Sequence, residues 1–280
     1  MLDWRRLFPD SDFRHPMALR PGNAKNFFSF EEAYPVLTIF NERSRWIEDL
    51  DEVARYVAAE PDALADVTEF VSTFHVEGDI LLPSDCAFNL SCAAGMALEP
   101  DWVLLRADAV GVYRMIAGAV CFPSGWAMRE KMGKPIDEIH SIVPGLNVAL
   151  GRQINSFLEK LAPEASWERE NWGVSADTEL NHHPSLARKK LGSDATLDAT
   201  WIRLERQLFY KLPRTGAIVF GIRVSHHRIS DLAAESEAAR RLSRALETMP
   251  EDMAVYKGIG AARAALVAQL KGNVAGASRS

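Results

Sequence analysis

The sequence predicts an α+β fold, a mixed or antiparallel sheet with flanking helices. Three observations carry this expectation. Alternating and β-branched runs bounded by Gly and Pro turns gather between residues 102 and 230. Apolar residues at helical spacing lie on both sides of that region. No internal repeat divides the chain. With 280 residues, 48% hydrophobic and 25% charged, the composition suits one large domain or two fused small ones. It divides into an N-terminal wrapping and helical segment (1–97), a core (98–230) and C-terminal helices (231–280), taken together as one integrated domain.

Residues 1 to about 40 mix turns with short apolar pieces and are expected to wrap the outside. From Trp46 to Phe74 two amphipathic helices are predicted, broken at Pro61. The segment Trp102–Phe122 reads as an antiparallel hairpin with Gly111 in its turn. Two short helical pieces follow, and His140 falls just before the turn Val143–Pro144–Gly145. Residues 146–162 predict a helix with Val148, Ile154, Phe157, Leu158 and Leu161 on one face. A strand containing Trp167 and Trp172 comes next, then a second hairpin across Leu212–Pro213–Arg214–Thr215–Gly216. The tail predicts two helices broken near Met249–Pro250, with the chain fraying from Gly272 onward.

Several function classes lose their support at this point. A formal net charge of -6 sets no field for nucleic acid or anionic lipid. No apolar stretch approaches a membrane span, and the amino terminus lacks a signal-peptide core, so a cytoplasmic protein is expected. Cys86, Cys92 and Cys121 form no zinc pair, and Cys121 reads as a small buried hydrophobe rather than a haem thiolate. The glycine-rich, nucleophile-elbow and zincin motifs are absent from the sequence.

The densest chemistry lies in 200–228. In a strand Arg203 and Glu205 share one face while Arg206 points to the other. Arginines on this hairpin suit a carboxylate or propionate, while the pattern by itself favours cross-strand ion pairs. His140, between apolar neighbours and a turn, fits a buried structural imidazole or an inward-pointing ligand. The pairs His182–His183 and His226–His227 hold adjacent side chains that point apart in extended chain, which disfavours chelation within a pair.

Three ordered stretches go further: the run from Ala117 to Gly145, the tryptophan pair of Trp167–Trp172, and the run from Arg203 to Arg223. Together they resemble the haem-dependent oxidative N-demethylase family. That resemblance implies a PAS-like fold enclosing a haem cavity, with residues 98–230 as its core. It implies haem b held by a histidine, dioxygen as co-substrate and electrons from a separate flavin or NAD(P)H reductase. The reaction implied is oxidative demethylation of a secondary or N-methyl amine, dimethylamine-like, to the demethylated amine and formaldehyde. A non-catalytic haem or small-ligand sensor is the alternative, and a homo-oligomer stays open. The resemblance points to His140 as iron ligand, to Arg203, Arg206 and Trp172 around the cofactor, and to Arg223 and Glu205 at the chemistry. The chain departs from its relatives at Gly173–Asp177 and at Val224–His227, where a Thr-Tyr pair is common.

Overall fold

The computed structural model describes residues 3–29, 36–49, 51–74 and 86–277. The sequence readings for 30–35, 75–85 and 278–280 lie outside the described residues. The strands are β1 (Arg20–Pro21), β2 (Val57–Ala59), β3 (Asp101–Ala107), β4 (Tyr113–Ala119), β5 (Ser166–Ser175), β6 (Trp201–Lys211) and β7 (Ile218–Arg228). They form a seven-stranded open sheet in the order β1-β5-β6-β7-β3-β4-β2. Every strand pair is antiparallel, so the sheet is not mixed.

Both hairpins expected from the sequence form. The first turns at Gly111, whose φ of 83 suits a residue without a Cβ. The second turns at Gly216 (φ 73), and its strands pair from Lys211↔Ile218 to Trp201↔Arg228. At Gly221 an added Cβ would meet Phe27 Cε1 at 2.6 Å, so glycine lets the helix Ala24–Phe28 lie directly on the sheet.

Pleat alternation gives the sheet two apolar faces. Trp102, Leu104, Leu208 and Val219 point toward the helices Leu64–Thr73 and Ala87–Ala97 and share a core with them. Val103, Leu105, Met115 and Ile218 point the other way and pack with Ile136, Leu150, Ile154 and Leu158. The terminal helices Ser236–Thr248 and Arg263–Ala277 make a third core with Trp172, Val174, Ile202 and Leu204.

Four expectations are corrected. The stretch 46–74 is not two helices alone, because Val57–Ala59 forms β2 and pairs with β4. An extended backbone approaching Pro61 and an open sheet edge favour that outcome over continued helix. Val148 is 96% exposed, while Leu150, Ile154 and Leu158, four residues apart, are the buried stripe of the helix Leu146–Lys160. The tail breaks into more pieces than two, namely Ile229–Ala233, Ser236–Thr248, Glu251–Tyr256 and Arg263–Ala277. The last of these runs through Ala277 rather than fraying at Gly272; Leu266 and Leu270 dock it in the core, and flanking alanines sustain it.

A buried ion pair sets the start of β3. Arg43 donates to the carbonyls of Gly95 (2.7 Å) and Glu99 (3.1 Å) and to Asp101 Oδ1 (2.8 Å). Asp101 in turn accepts the backbone N–H groups of Cys121 and Phe122, each at 2.8 Å. Removing one partner leaves a charge in the core without compensation. Asp101→Ala is therefore expected to lower the unfolding free energy by about 3–5 kcal/mol in denaturant melts. A joint Arg43→Met, Asp101→Leu replacement is expected to recover only part of that loss, because the Gly95 and Glu99 carbonyls and the Cys121 and Phe122 N–H groups lose their partners.

Candidate functional site

The site grows from the register of β5, β6 and β7. The pairs Arg169↔Gln207 and Asn171↔Glu205 continue onto Ile222 and Val224 of β7. Arg169, Asn171, Glu205, Gln207, Phe209, Phe220 and Ile222 therefore share one face of the sheet. Opposite them stand the short helix Ile136–His140 and the helix Leu146–Lys160. Between the two lies a cavity of about 320 Å³, within the range of small-molecule sites. Val103, Leu105, Met115, Ile139, Phe157 and Phe209 supply its apolar walls.

Chain segments from both termini close the rim. The strap Phe8–Ala18 borders the cavity and is pinned at both ends. Asp10 pairs with Arg240 at 2.8 Å and Arg244 at 3.2 Å, Asp12 pairs with Arg244, and Phe13 N donates to Thr248 Oγ1. His15 Nε2 donates to the Pro144 carbonyl at 2.9 Å, tying the strap to the loop after His140. At the edge of β5, Trp172 borders the cavity with Phe8 at 5.1 Å and Phe13 at 6.5 Å between ring centres.

His140 ends its helix, which begins after Pro135 and buries Ile136. Its imidazole lines the cavity, and Nδ1 is buried without a hydrogen-bond partner among the described residues. Burial, reinforced by the nearby Arg169 guanidinium, holds its pKa below the ordinary histidine value. The ring is thus neutral at physiological pH, the form that ligates a metal. Arg169 lines the same cavity with a buried Nε that has no hydrogen-bond partner among the described residues. Glu205 is held from one side: Oε2 accepts the amides of Gln207 (2.8 Å) and Asn171 (3.2 Å). No hydrogen bond to its Oε1 occurs among the described residues.

Of the residues singled out from the sequence, His140, Glu205 and Trp172 border the cavity, and Arg203, Arg206 and Arg223 do not. Arg203 shares the pleat face of Glu205, as expected, but its guanidinium is committed elsewhere. It donates to the carbonyls of Phe122, Pro123, Glu179 and Leu180 and to Ser124 Oγ. This knot ties two loops to β6. Arg206 and Arg223 pair across the strands on the opposite face. There Arg206 approaches Glu168 at 3.7 Å, and Arg223 meets Glu99 at 3.1 Å and the carbonyls of Phe27 and Ser29. Cys121 is buried in the core behind β3, its thiol pushed up to about 12 by burial, and lies outside the cavity lining.

Sequence reasoning passed over Arg169, Asn171, Gln207 and Lys257. The alternation of Trp167–Trp172 puts Arg169 and Asn171 on one face, and only the register with Glu205 shows that this face holds the cavity. Lys257 follows a helix read as terminal packing, and no local signal marks it. The histidine pairs behave as expected within each pair, yet His182 and His226 meet from different segments, ring centres 6.4 Å apart. No group of three metal-binding side chains occurs among the described residues.

A family model described as haem-dependent oxidative N-demethylase, alpha subunit-like, matches residues 80–267, well over half of the chain. The chain belongs to this family. A haem is seated by a pocket with apolar walls, an axial ligand such as a neutral histidine, and cations for its carboxylates. The unpartnered His140 Nδ1 and Arg169 Nε on apolar walls fit such a group. The match covers the cavity face, the His140 loop and Lys257, while the N-terminal strap precedes it. Among the described residues no helix is long and apolar enough to cross a membrane.

The His182–His226 contact has a measurable consequence. Burial and the Arg203 guanidinium lower the pKa of His226 to about 3 and that of His182 to about 4. As pH falls below about 6.5, histidines of the unfolded chain take up protons that these two refuse, so folded stability drops. Denaturant melts are expected to show His226→Gln removing roughly 2–3 kcal/mol of the stability loss between pH 7 and 4.5. An unchanged pH profile in that variant contradicts the assignment.

Proposed function

We propose that this protein is a haem-dependent monooxygenase that removes a methyl group from a secondary or N-methyl amine of the dimethylamine kind, releasing formaldehyde. The observation that carries the reading is the neutral His140 imidazole, its buried Nδ1 unpartnered on the wall of an apolar cavity, in a member of a haem-dependent family. In this reading His140 ligates the iron of haem b, and Arg169 with its free Nε takes a propionate. Arg169 thereby assumes the role that the resemblance implied for Arg203 and Arg206. Lys131, buried at the His140 side of the lining, adds a second cation for the same purpose.

When bound, the haem supplies dioxygen activation at iron, with electrons from a separate flavin or NAD(P)H reductase. The remaining work falls to the chain. Glu205, its Oε2 held by Asn171 and Gln207, offers Oε1 to the substrate ammonium, a charge-assisted contact that orients the amine. Phe209 and Phe220, with ring centres 4.9 Å apart, give the methyl groups an apolar wall. Trp172 and the strap keep bulk water from the site, which strengthens the Glu205 contact. Once the methyl carbon carries a hydroxyl, Glu205 Oε1 takes the hydroxyl proton as the C–N bond breaks and returns it to the leaving nitrogen. Arg223 supports the opposite face of β7 through Glu99 and acts only by positioning that strand.

With reductase, reductant and oxygen, haem-replete protein is expected to release formaldehyde in proportion to the N-methyl amine consumed. Glu205→Gln is expected to raise KM about 10- to 100-fold, the worth of one charged hydrogen bond, with haem content unchanged. Arg169→Leu is expected to lower the haem retained on purification. Haem-replete protein that yields no formaldehyde from any N-methyl amine overturns the catalytic reading and leaves haem or ligand sensing in its place.

A further inference from the structure

The cavity contains an amine for which the demethylation just described has no use. Lys257 follows the helix Glu251–Tyr256 and reaches into the cavity at the edge of β5. Its Nζ donates to the Trp172 carbonyl at 2.6 Å and stands 5.4 Å from the centre of the Trp172 ring. The residue is partly exposed as a whole, but its Nζ end is buried. The charged groups that face it are Glu205 from β6 and Arg169 from β5.

The hydrogen bonding makes the free base readily accessible at this position. An ammonium would bring three N–H donors to one carbonyl, whereas a neutral amine gives one N–H to Trp172 and keeps its lone pair open to the cavity. Burial, with the Arg169 guanidinium adding to it and Glu205 opposing, lowers the Lys257 pKa to about 8. An ordinary lysine near 10.4 is almost wholly protonated at neutral pH and reacts only through its small neutral fraction. Of the nine lysines, Lys131 and Lys257 line the cavity with lowered basicity, and Lys257 is the one whose Nζ hydrogen-bonds the Trp172 carbonyl beside Glu205.

We infer that Lys257 is a carbonyl-capture site, whose Nζ adds reversibly to a small aldehyde set free in the cavity. The nitrogen lone pair forms the new C–N bond, the carbonyl π pair moves to oxygen, and a nitrogen proton follows it to give a carbinolamine. The nitrogen pair then forms C=N while the C–O bond breaks, and the hydroxide leaves as water with one proton from solvent. No electron is gained or lost, and addition of water reverses both steps. The resulting iminium keeps an N–H for the Trp172 carbonyl, and its charge lies over the Trp172 ring and beside Glu205. The identity of the aldehyde as formaldehyde rests on the demethylase reading, whereas the capture chemistry does not. Formaldehyde so held is retained at its source until a downstream condensation with an amine or thiol carrier consumes it.

The test uses the full chain as purified, without amine substrate or reductase. The protein is exposed to dilute formaldehyde and cyanoborohydride at pH 7.5, which reduces each iminium to a methylamine, and methylation is followed lysine by lysine by peptide mass spectrometry. Lys257 is expected to be methylated at least about tenfold faster than the exposed Lys25 and Lys189, reflecting its larger neutral fraction. Lowering the pH to 6 is expected to slow Lys257 by roughly tenfold or more. Methylation of Lys257 no faster than of Lys25 and Lys189 overturns the inference. Because no turnover is required, this outcome is independent of whether the protein releases formaldehyde from an amine.

Discussion

The site depends on the register of three long antiparallel strands. With Arg169↔Gln207 and Asn171↔Glu205 aligned across β5 and β6, and Gln207↔Ile222 across β6 and β7, one pleat face carries the carboxylate, two amides and the aromatic wall. The intervening residues Glu170, Arg206 and Arg223 lie on the opposite pleat face, where Glu170 pairs with Arg6 and Arg20 and Arg223 donates to the Phe27 and Ser29 carbonyls, fastening the N-terminal segments to the sheet. A slip of one residue in β6 would exchange the two sets, putting Arg206 in the cavity and Glu205 against Phe27. The buried knots at Arg43 and Arg203 hold the ends of β3 and β6 against such movement, since each spends its guanidinium on backbone carbonyls.

What the cavity costs the fold is informative about what it is for. A buried nitrogen without a partner is worth about 1–3 kcal/mol of lost stability, and His140 Nδ1 and Arg169 Nε both stand in that condition. They face the same cavity from opposite walls, the helix Ile136–His140 on one side and β5 on the other. Such groups are compensated by a ligand that bonds to them, and a haem with a metal centre and carboxylate side arms offers both kinds of contact. The family match spans the strands and the helix that line this cavity.

The hairpins and the α+β class were legible in the sequence because each rests on local signals, whereas His140 and Glu205, which border the cavity, were singled out through the family resemblance. Gly111 and Gly216 mark turns, alternation in Trp201–Lys211 marks a strand, and the Val143–Pro144–Gly145 turn ends the helix that carries His140. The resemblance implied ligand contacts for the three arginines, and guanidinium chemistry alone does not say which acceptors lie nearby. Arg203 finds the carbonyls of two loops that are remote in sequence, and Arg223 finds Glu99 and the Phe27 carbonyl, contacts made only by long-range folding. Arg169 and Lys257 were missed for the same reason, since their meeting with Glu205 requires β5 to pair with β6 and the C-terminal helices to close the edge. Likewise β2 formed because β4 offered a free edge, which no residue in Val57–Ala59 announces.

The central claim is that His140 presents a neutral imidazole to haem iron. Its most direct test is a spectrophotometric haem titration of the full chain beside His140→Ala and His226→Ala. The account predicts a stoichiometric Soret band with one ligated histidine for the wild type and for His226→Ala, and loss of that ligation signature in His140→Ala with the secondary structure retained. A His140→Ala protein that binds haem with an unaltered spectrum would contradict it.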